Sequence, residues 1–582
     1  MRCRSIFVLI ALAFGLGACD RSSGPVSDAP FDGPNLVIVL SDALRAANLP
    51  TYGYPRPTAP RLTELADQSV VFEHHFANYP GTPYSVSQMM SGRLMSPLLM
   101  ASGASIPPYQ RIEPDLLILP KVLREAGFTT GIVSSHPWFD DRARVLDHFD
   151  LQAILDSGDG HPYAPIEALI PPAEAFLEDR ARDRQRFFLY VHSMDTHLPY
   201  RAHPGMPVFP EWGPHFAGYD HQIVYTDHWT GRLLDRLDAL GLADDTIVLF
   251  TSDHGEELFE EGKEWHHEGH GPTLRRPQVH IPAILKVPGV EPRRWSETSR
   301  HIDIAPTLVG LLLGDDEGAG ALLEPFRIDG VDFSAALRTA APAIDGLKSL
   351  AHTWRYWSLS TRTHDLIYDQ WHDRVNSYRI EPDERNVPRQ MVTETEASSD
   401  AELRDRIARR LRERVRLPAI DQPGGMVGVP TRVVHEKDGA IPTYATAFDD
   451  DRWFLKTWML LEVGPREQPG PLFLESPWSR GRYRVSVRLH PDGIAQGFRN
   501  RFQFQVLGGG NDVVQVDGER ADERGYLDLG EHDVGPLFRI RIEQPEGGVM
   551  VSGFVLQTVG AEAPAMLDPE EEERLRALGY LE

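Results

Sequence analysis

Five short apolar runs, each closed by a polar turn, constrain this chain more than any other feature. They read NLVIVL (35–40), TTGIVSS (129–135), RFFLYVH (186–192), TIVLFTS (246–252) and PAILKVP (282–288). Continuous rather than alternating apolar runs of this length belong to strands buried on both faces. Between them APRLTELADQS, LPKVLREAG and HWTGRLLDRLDALG carry helical spacing, two of them closing on glycine. Strand and helix in turn predict an α/β fold: a mostly parallel sheet with helices on both faces, over residues 35–418. In such sheets ligands gather beyond the carboxyl ends of the strands.

The residues that follow the runs are therefore the informative ones. The first run breaks on Asp42, with Arg45 behind it; another leads through His192 to Asp195 and His197; a third ends on Asp253 and His254. A single carboxylate after a strand is commonly a helix cap. Three polar clusters at one edge point instead to a cation, because gathered carboxylates repel one another. In YPGTPYSVSQMMSGR, Thr82 precedes Pro83, and proline favours the first helical position. Thr82 is thus predicted at the N-cap, beside amide groups that favour an anion. Judged alone it is a cap.

The chain opens with Arg2, Arg4 and the apolar IFVLIALAFGLGA, short of the roughly 20 residues a spanning helix needs, and residues 1–18 read as a secretion signal. The signal runs into Leu16-Gly17-Ala18-Cys19, similar to the lipobox of bacterial lipoproteins, in which Cys19 is acylated and becomes the first residue. Residues 19–34 would then tether the protein to the membrane. The expected location is the cell envelope, lipid-anchored and facing the periplasm or the exterior. The only other cysteine, Cys3, lies in the signal, so no internal disulfide is expected. With 59 Lys and Arg against 85 Asp and Glu, the formal charge of −26 disfavours nucleic acid as partner.

DAELRDRIARRLRERV (400–415) has one narrow apolar stripe and is predicted to close the first domain as a helix. Residues 419–439 read as a linker. From 440 to 560 short strand-like runs such as YRVSVRLH and FRIRIEQ alternate, which predicts a β-sandwich. Residues 561–582 form a tail helix in this reading.

Several blocks together carry a family resemblance. NLVIVLSDALRAANLPTYGYPRPTAPRLTELADQS through YPGTPYSVSQMMSGR, then FTSDHGEE, GHGPTLRRPQVHIPAILKVPG and SRHIDIAPTLVGLL, resemble in order the sulfatase branch of the alkaline phosphatase superfamily. The closing LDPEEEERLRALGYLE resembles the tail of many bacterial members. The resemblance implies that Asp42, Asp253 and His254 ligate a catalytic divalent metal and that Thr82 is nucleophile and ligand. It places His197 and His270 as catalytic groups at the substrate's anionic group or leaving oxygen, with Arg45 and Asp195 as further substrate contacts. One ion is expected, zinc or manganese ahead of calcium or magnesium because of His254. A second site would need a histidine four residues after the aspartate, and Pro199 stands there after Asp195. His266 and His267 are read as rim residues.

The departures shape the functional expectation. Sulfatases proper carry cysteine or serine in a Cys/Ser-x-Pro-x-Arg pattern and convert it to formylglycine, whereas this window reads Thr82-Pro83-Tyr84-Ser85-Val86. A Lys-x-His element is replaced by Ser135-His136-Pro137. Threonine cannot give the aldehyde, but an unmodified hydroxyl beside a metal can attack phosphorus. The expectation is a metal-dependent hydrolase or transferase of phosphate (or sulfate) esters, acting on a small-molecule or a glycan- or lipid-linked substrate. Two alternatives stand beside it: a sulfuric ester hydrolase, and a catalytically inactive lipoprotein that binds through the same pocket.

Overall fold

The computed structural model describes residues 33–94, 119–139, 146–258, 268–270, 274–314 and 328–339, together with strands between 349 and 558. The signal, the tether with Cys19, His266 and His267, the helix expected at 400–415 and the tail at 561–582 lie outside the described residues.

In chain order the central elements are β1 (Asn35–Ser41), α1 (Pro60–Ala66), β2 (Val70–Phe76), α2 (Thr82–Ser91), α3 (Leu119–Glu125), β3 (Thr129–Ser134), β4 (Leu151–Ile154), α4 (Ile166–Asp183), β5 (Phe187–Ser193), α5 (Pro214–Ala239), β6 (Thr246–Thr251), β7 (Glu257–Leu258), β8 (Glu268–Gly269), α6 (Arg276–Val279), β9 (Ala283–Lys286), β10 (Arg293–Arg300) and α7 (Ile304–Leu313). Eight strands make one sheet in the order β10-β2-β9-β6-β1-β5-β3-β4. Neighbours pair parallel except at β9, which runs against both β2 and β6.

All five apolar runs are strands of this sheet. β1 is buried along its whole length, and its pleat divides the core in two. Leu36, Ile38 and Leu40 join one cluster with Met89 of α2, Val122 of α3 and Leu308 of α7. Val37 and Val39 join the other, with Leu62 of α1, Leu169 of α4 and Ile223 of α5. Helices on both faces are what a strand without polar alternation requires.

Register then aligns the strand ends. Ser41 of β1 pairs with Ser193 of β5, and Leu40 pairs with Thr251 of β6. The chain therefore leaves β1, β5 and β6 at one level, and the segments carrying Asp42, Asp195 and Asp253 begin side by side. The loop after β6 is pressed against α6: Gly255 donates its N–H to the Gln278 carbonyl at 2.8 Å. A Cβ on Gly255 would lie 2.0 Å from the Pro277 carbonyl oxygen.

Strands between Ser349 and Val392 form a five-stranded antiparallel sheet. Arg276 of α6 reaches it through a buried bidentate pair with Asp365, Nε at 3.2 Å and Nη2 at 2.8 Å. Further on, strands between Met426 and Thr558 form two antiparallel sheets of five. Two of them, Met426–Val429 and Arg432–His435, fall where a linker was expected. MVGV and RVVH carry enough β-branched residues to pair, and each adds to a different sheet, on Val555 and Leu474 among others. Among the described residues no helix is long and apolar enough to cross a membrane.

Gly255→Ala should force the backbone of the loop or of α6 to shift, at about 1–3 kcal/mol or more. Urea denaturation of the purified chain measures it. An unchanged midpoint would mean that the Gly255–Pro277 approach does not constrain the fold.

Candidate active site

Asp42 follows β1 directly, and its N–H is held by the Ser193 carbonyl of β5 at 2.8 Å. Ala43 then takes a left-handed backbone, φ 58°, a conformation that costs a non-glycine residue about 1–3 kcal/mol. That turn aims the Ala43 N–H at Asp253 Oδ1, 3.1 Å away. Asp253 Oδ1 also accepts the His254 N–H at 2.9 Å. Asp253 Oδ2 and Asp42 Oδ1 are buried and have no hydrogen-bond partner. Each carboxylate is thus tied down through one oxygen and presents the other.

Ligand atoms of Asp42, Asp253 and His254 lie within 4.8 Å of one another, and all three residues are buried. His254 Nδ1 donates to the Gly255 carbonyl at 3.0 Å, which leaves Nε2 with its lone pair facing the carboxylates, 3.3 Å from Asp253 Oδ2. Burial first, and then the neighbouring His270, holds the His254 ring well below the ordinary imidazole range, so it is neutral. Burial alone would raise Asp42, but the His192 hydrogen bond and the His197, His254 and His136 rings outweigh it and hold the group well below the usual carboxylate range. Asp253 pays for both burial and the Asp42 charge and is pushed up to about 7. Two orphaned carboxylate oxygens and a neutral imidazole nitrogen are the donor set of a divalent cation.

Thr82 does not cap its helix. Gly81 is the N-cap, in extended backbone, no side chain caps the helix, and Thr82 is the first helical residue. Its hydroxyl donates instead to Asp42 Oδ2 at 3.2 Å and lies 3.3 Å from His254 Nε2. The predicted cap fails because Pro83 occupies the second rather than the first helical position. One turn along, Ser85 Oγ donates to the Asp253 carbonyl at 2.5 Å and accepts from His301 Nδ1 at 2.8 Å. Ser85 thereby locks α2 to the strand end that carries the ligands.

Histidines ring this centre. The His270 ring lies 4.0 Å from that of His254 and 5.0 Å from that of His197. His270 Nδ1 is 3.2 Å from Glu256 Oε1. Burial would lower the His270 pKa, but the charge and hydrogen bond of Glu256 outweigh it and raise it above the ordinary value. His197 Nδ1 donates to the Leu198 carbonyl, leaving Nε2 for another partner. Two further rings were assigned no role from sequence. His192 Nε2 is 3.1 Å from Asp42 Oδ2, and His136 Nε2 is 3.7 Å from the same oxygen. His192 sits in the polar cluster after RFFLYV, and His136 between two departures from the family pattern; proximity to a strand end was the only signal for either.

Two expected substrate contacts are placed otherwise. Arg45 is buried, its Nε on Asn48 Oδ1 at 2.5 Å, its Nη1 on the Glu256 carbonyl at 3.2 Å, and its guanidinium over the Phe216 and Tyr219 rings of α5. It pins the turn after β1 to the segment after β6. Asp195 is buried too, and its Oδ2 accepts the N–H of Ile166, the first residue of α4, at 2.9 Å. Pro165 leaves that helix without a cap of its own, and Asp195 supplies one from a distance. At the family's arginine position, Val86 is buried in the core beside α3 and α7, and Pro137 is exposed.

Comparison with known proteins agrees with this geometry. Residues 34–314 match the Sulfatase family model. Arylsulfatase A of Bos taurus is 26% identical over 404 residues, covering 60% of this chain and 73% of its own. The phosphonate monoester hydrolase of Agrobacterium radiobacter shares the fold, with a TM-score of 0.51 at 16% identity over 65% of this chain and 95% of its own. So does a protein solved with its substrate D-glucosamine-2-N,6-O-disulfate, with a TM-score of 0.52 at 15% identity over 66% of this chain and 98% of its own. The sheet, the strand-end cluster and the matched family model converge: residues 34–314 make up a Sulfatase-family domain.

Proposed function

We propose that the protein is a metal-dependent hydrolase or transferase that uses Thr82 as its nucleophile and acts on phosphate esters in preference to sulfate esters. The observation that carries the reading is the Thr82 hydroxyl, released from helix capping and held within hydrogen-bond distance of both Asp42 and His254.

The donor set argues for the ion. Asp42 and Asp253 each offer one oxygen, His254 offers Nε2, and Thr82 adds its hydroxyl. Four donors with one nitrogen suit zinc or manganese better than calcium, which takes six to eight oxygens. When bound, such a cation lowers the pKa of the Thr82 hydroxyl and offsets charge on the group being transferred.

The chain's own residues divide the remaining work. Thr82 Oγ attacks phosphorus, a covalent phospho-threonine forms, and the bond to the leaving oxygen breaks. The amide groups at the start of α2 face the anion. His270, whose pKa Glu256 raises, delivers a proton to the leaving oxygen, and His197 stands beside it. Water, or an acceptor alcohol, then attacks the phospho-threonine and releases Thr82. The arylsulfatase relative and the phosphonate hydrolase neighbour act on different esters, so the fold alone does not choose. Position 82 favours phosphate, because a sulfo-threonine lacks the aldehyde hydrate from which a formylglycine enzyme expels sulfate.

The substrate class proposed is a small-molecule or a glycan- or lipid-linked ester at the cell envelope, with Cys19 carrying the lipid anchor. Cys19→Ser should move the protein from the membrane fraction to the soluble one; unchanged fractionation would rule out that attachment.

The chemistry is tested with matched aryl phosphate monoesters, phosphate diesters, phosphonate monoesters and sulfates. The phosphorus esters should turn over faster. Thr82→Ala should lower that rate by orders of magnitude, while Thr82→Ser retains a substantial part. A wild-type enzyme whose best substrate is an aryl sulfate would overturn the phosphate assignment.

A further inference from the structure

Asp42 differs from Asp253 in what occupies its second oxygen. Asp253 Oδ1 is held by the backbone N–H groups of Ala43 and His254, whereas Asp42 Oδ2 faces side chains from three other elements. Thr82 of α2 donates to it at 3.2 Å. His192 of β5 meets it through Nε2 at 3.1 Å. His136, just past β3, points Nε2 at it from 3.7 Å.

The tautomers of both rings can be read from their far sides. A carboxylate oxygen has no proton to give, so His192 Nε2 carries one, and Nδ1 accepts from the Tyr190 hydroxyl at 3.0 Å. His136 Nδ1 accepts the backbone N–H of Trp138 at 2.9 Å, so in the neutral ring Nε2 again carries the proton. A protonated ring nitrogen cannot ligate a metal. His192 is therefore the donor to Asp42 Oδ2, while His136 turns its Nε2 toward the same oxygen from 3.7 Å, beyond hydrogen-bond distance.

We propose that His192, oriented by Tyr190, is a positioning residue that occupies Asp42 Oδ2, makes Asp42 a one-oxygen metal ligand, and biases the site toward a compact ion such as zinc over calcium. The inference rests on the reading of this cluster as a metal centre. Calcium fills its larger coordination sphere partly with bidentate carboxylates. An Asp42 whose second oxygen is committed through Tyr190, His192 and Thr82 cannot supply that contact without breaking buried hydrogen bonds. Tyr190 and His192 are both fully buried, so no solvent takes their place.

The test is binding of zinc chloride and of calcium chloride to the full metal-free chain, followed by calorimetry, with circular dichroism to verify folding. Wild type should bind zinc more tightly than calcium. His192→Ala should weaken zinc binding by about 10- to 100-fold, the usual effect of losing such a partner, and should shrink the zinc-to-calcium preference by at least about tenfold. His192→Gln, which restores a donor near the same place, should recover part of both. Tyr190→Phe removes only the hydroxyl and should also reduce the preference; it decides the matter if His192→Ala does not fold. A preference unchanged within about twofold in the folded variants, or zinc and calcium weakened equally, overturns the role of His192, as does a wild type that prefers calcium. A wild type that binds neither ion overturns the metal reading itself, a distinct outcome.

Discussion

Two aspartates buried against one another, each with an oxygen that no protein group satisfies, are the constraint around which this molecule is arranged. Without a cation the pair cannot comfortably hold two charges, which is why Asp42 stays ionised while Asp253 is pushed up to about 7. Keeping them together requires a rigid frame, and the sheet supplies it. β1 and β6 are hydrogen-bonded in parallel from Asn35–Thr246 to Leu40–Thr251, so the two residues emerge from adjacent strand ends. The left-handed turn at Ala43 and the N–H it aims at Asp253 close the gap. Ser85 and Arg45 brace the arrangement from opposite sides, one through the Asp253 carbonyl and the other through the Glu256 carbonyl. Strain at Ala43 and desolvation of the carboxylates are local costs that the two apolar clusters on either side of the sheet offset.

Burial on both faces is also what made the central strands legible. LVIVL, FFLYV and IVLF have no polar alternation, and each became a strand in the middle of the sheet. Among the strands that went unread, β2 breaks its VVF run with Glu73 and two histidines, and the two edge strands have no such run. β10, RRWSETSR, buries only part of one face, and β4, LQAI, sits at the sheet's other edge. α4 was hidden by Pro171 and Pro172, which sit inside it although proline ordinarily ends a helix. MVGV and RVVH were taken for linker because glycine and proline surround them, yet each finds a partner strand far along the chain. Such pairing is decided by tertiary context, which local composition does not encode.

The site divides along a similar line. Asp42, Asp253 and His254 were legible because they stand at strand ends, where chain direction alone brings them together. Thr82 judged from its own window read as a cap and only the family resemblance pointed it at the metal centre; the structure gives the cap to Gly81 and leaves the Thr82 hydroxyl on Asp42. Arg45 and Asp195 show the converse. Both lie in the right segments, but a strand end offers two sides, and these side chains turn to fix α5 and α4. His136 and His192 depend on which ring nitrogen faces inward, and that follows from Trp138 N–H and Tyr190 OH, contacts invisible to spacing.

The chemistry proposed for Thr82 follows from how a threonine ester breaks down. A formylglycine hydrate has two hydroxyls on one carbon; once one is sulfated, the other can expel sulfate by forming the aldehyde, with no attack on sulfur. A threonine ester has a hydrogen and a methyl group where that second hydroxyl would be, so its transferred group leaves only when water or an alcohol attacks the central atom. In-line attack on phosphorus beside a cation is an ordinary route. The surroundings point the same way: Val86 is turned into the core and Pro137 to solvent, so two positions at which the family pattern carries cationic side chains hold none. In the proposed reading a bound cation and the helix amides would offset the anion's charge, with His270, its pKa raised by Glu256, at the leaving oxygen. That distribution suits a phosphoryl group passing through a covalent threonine ester, which must be made and broken at the same atom.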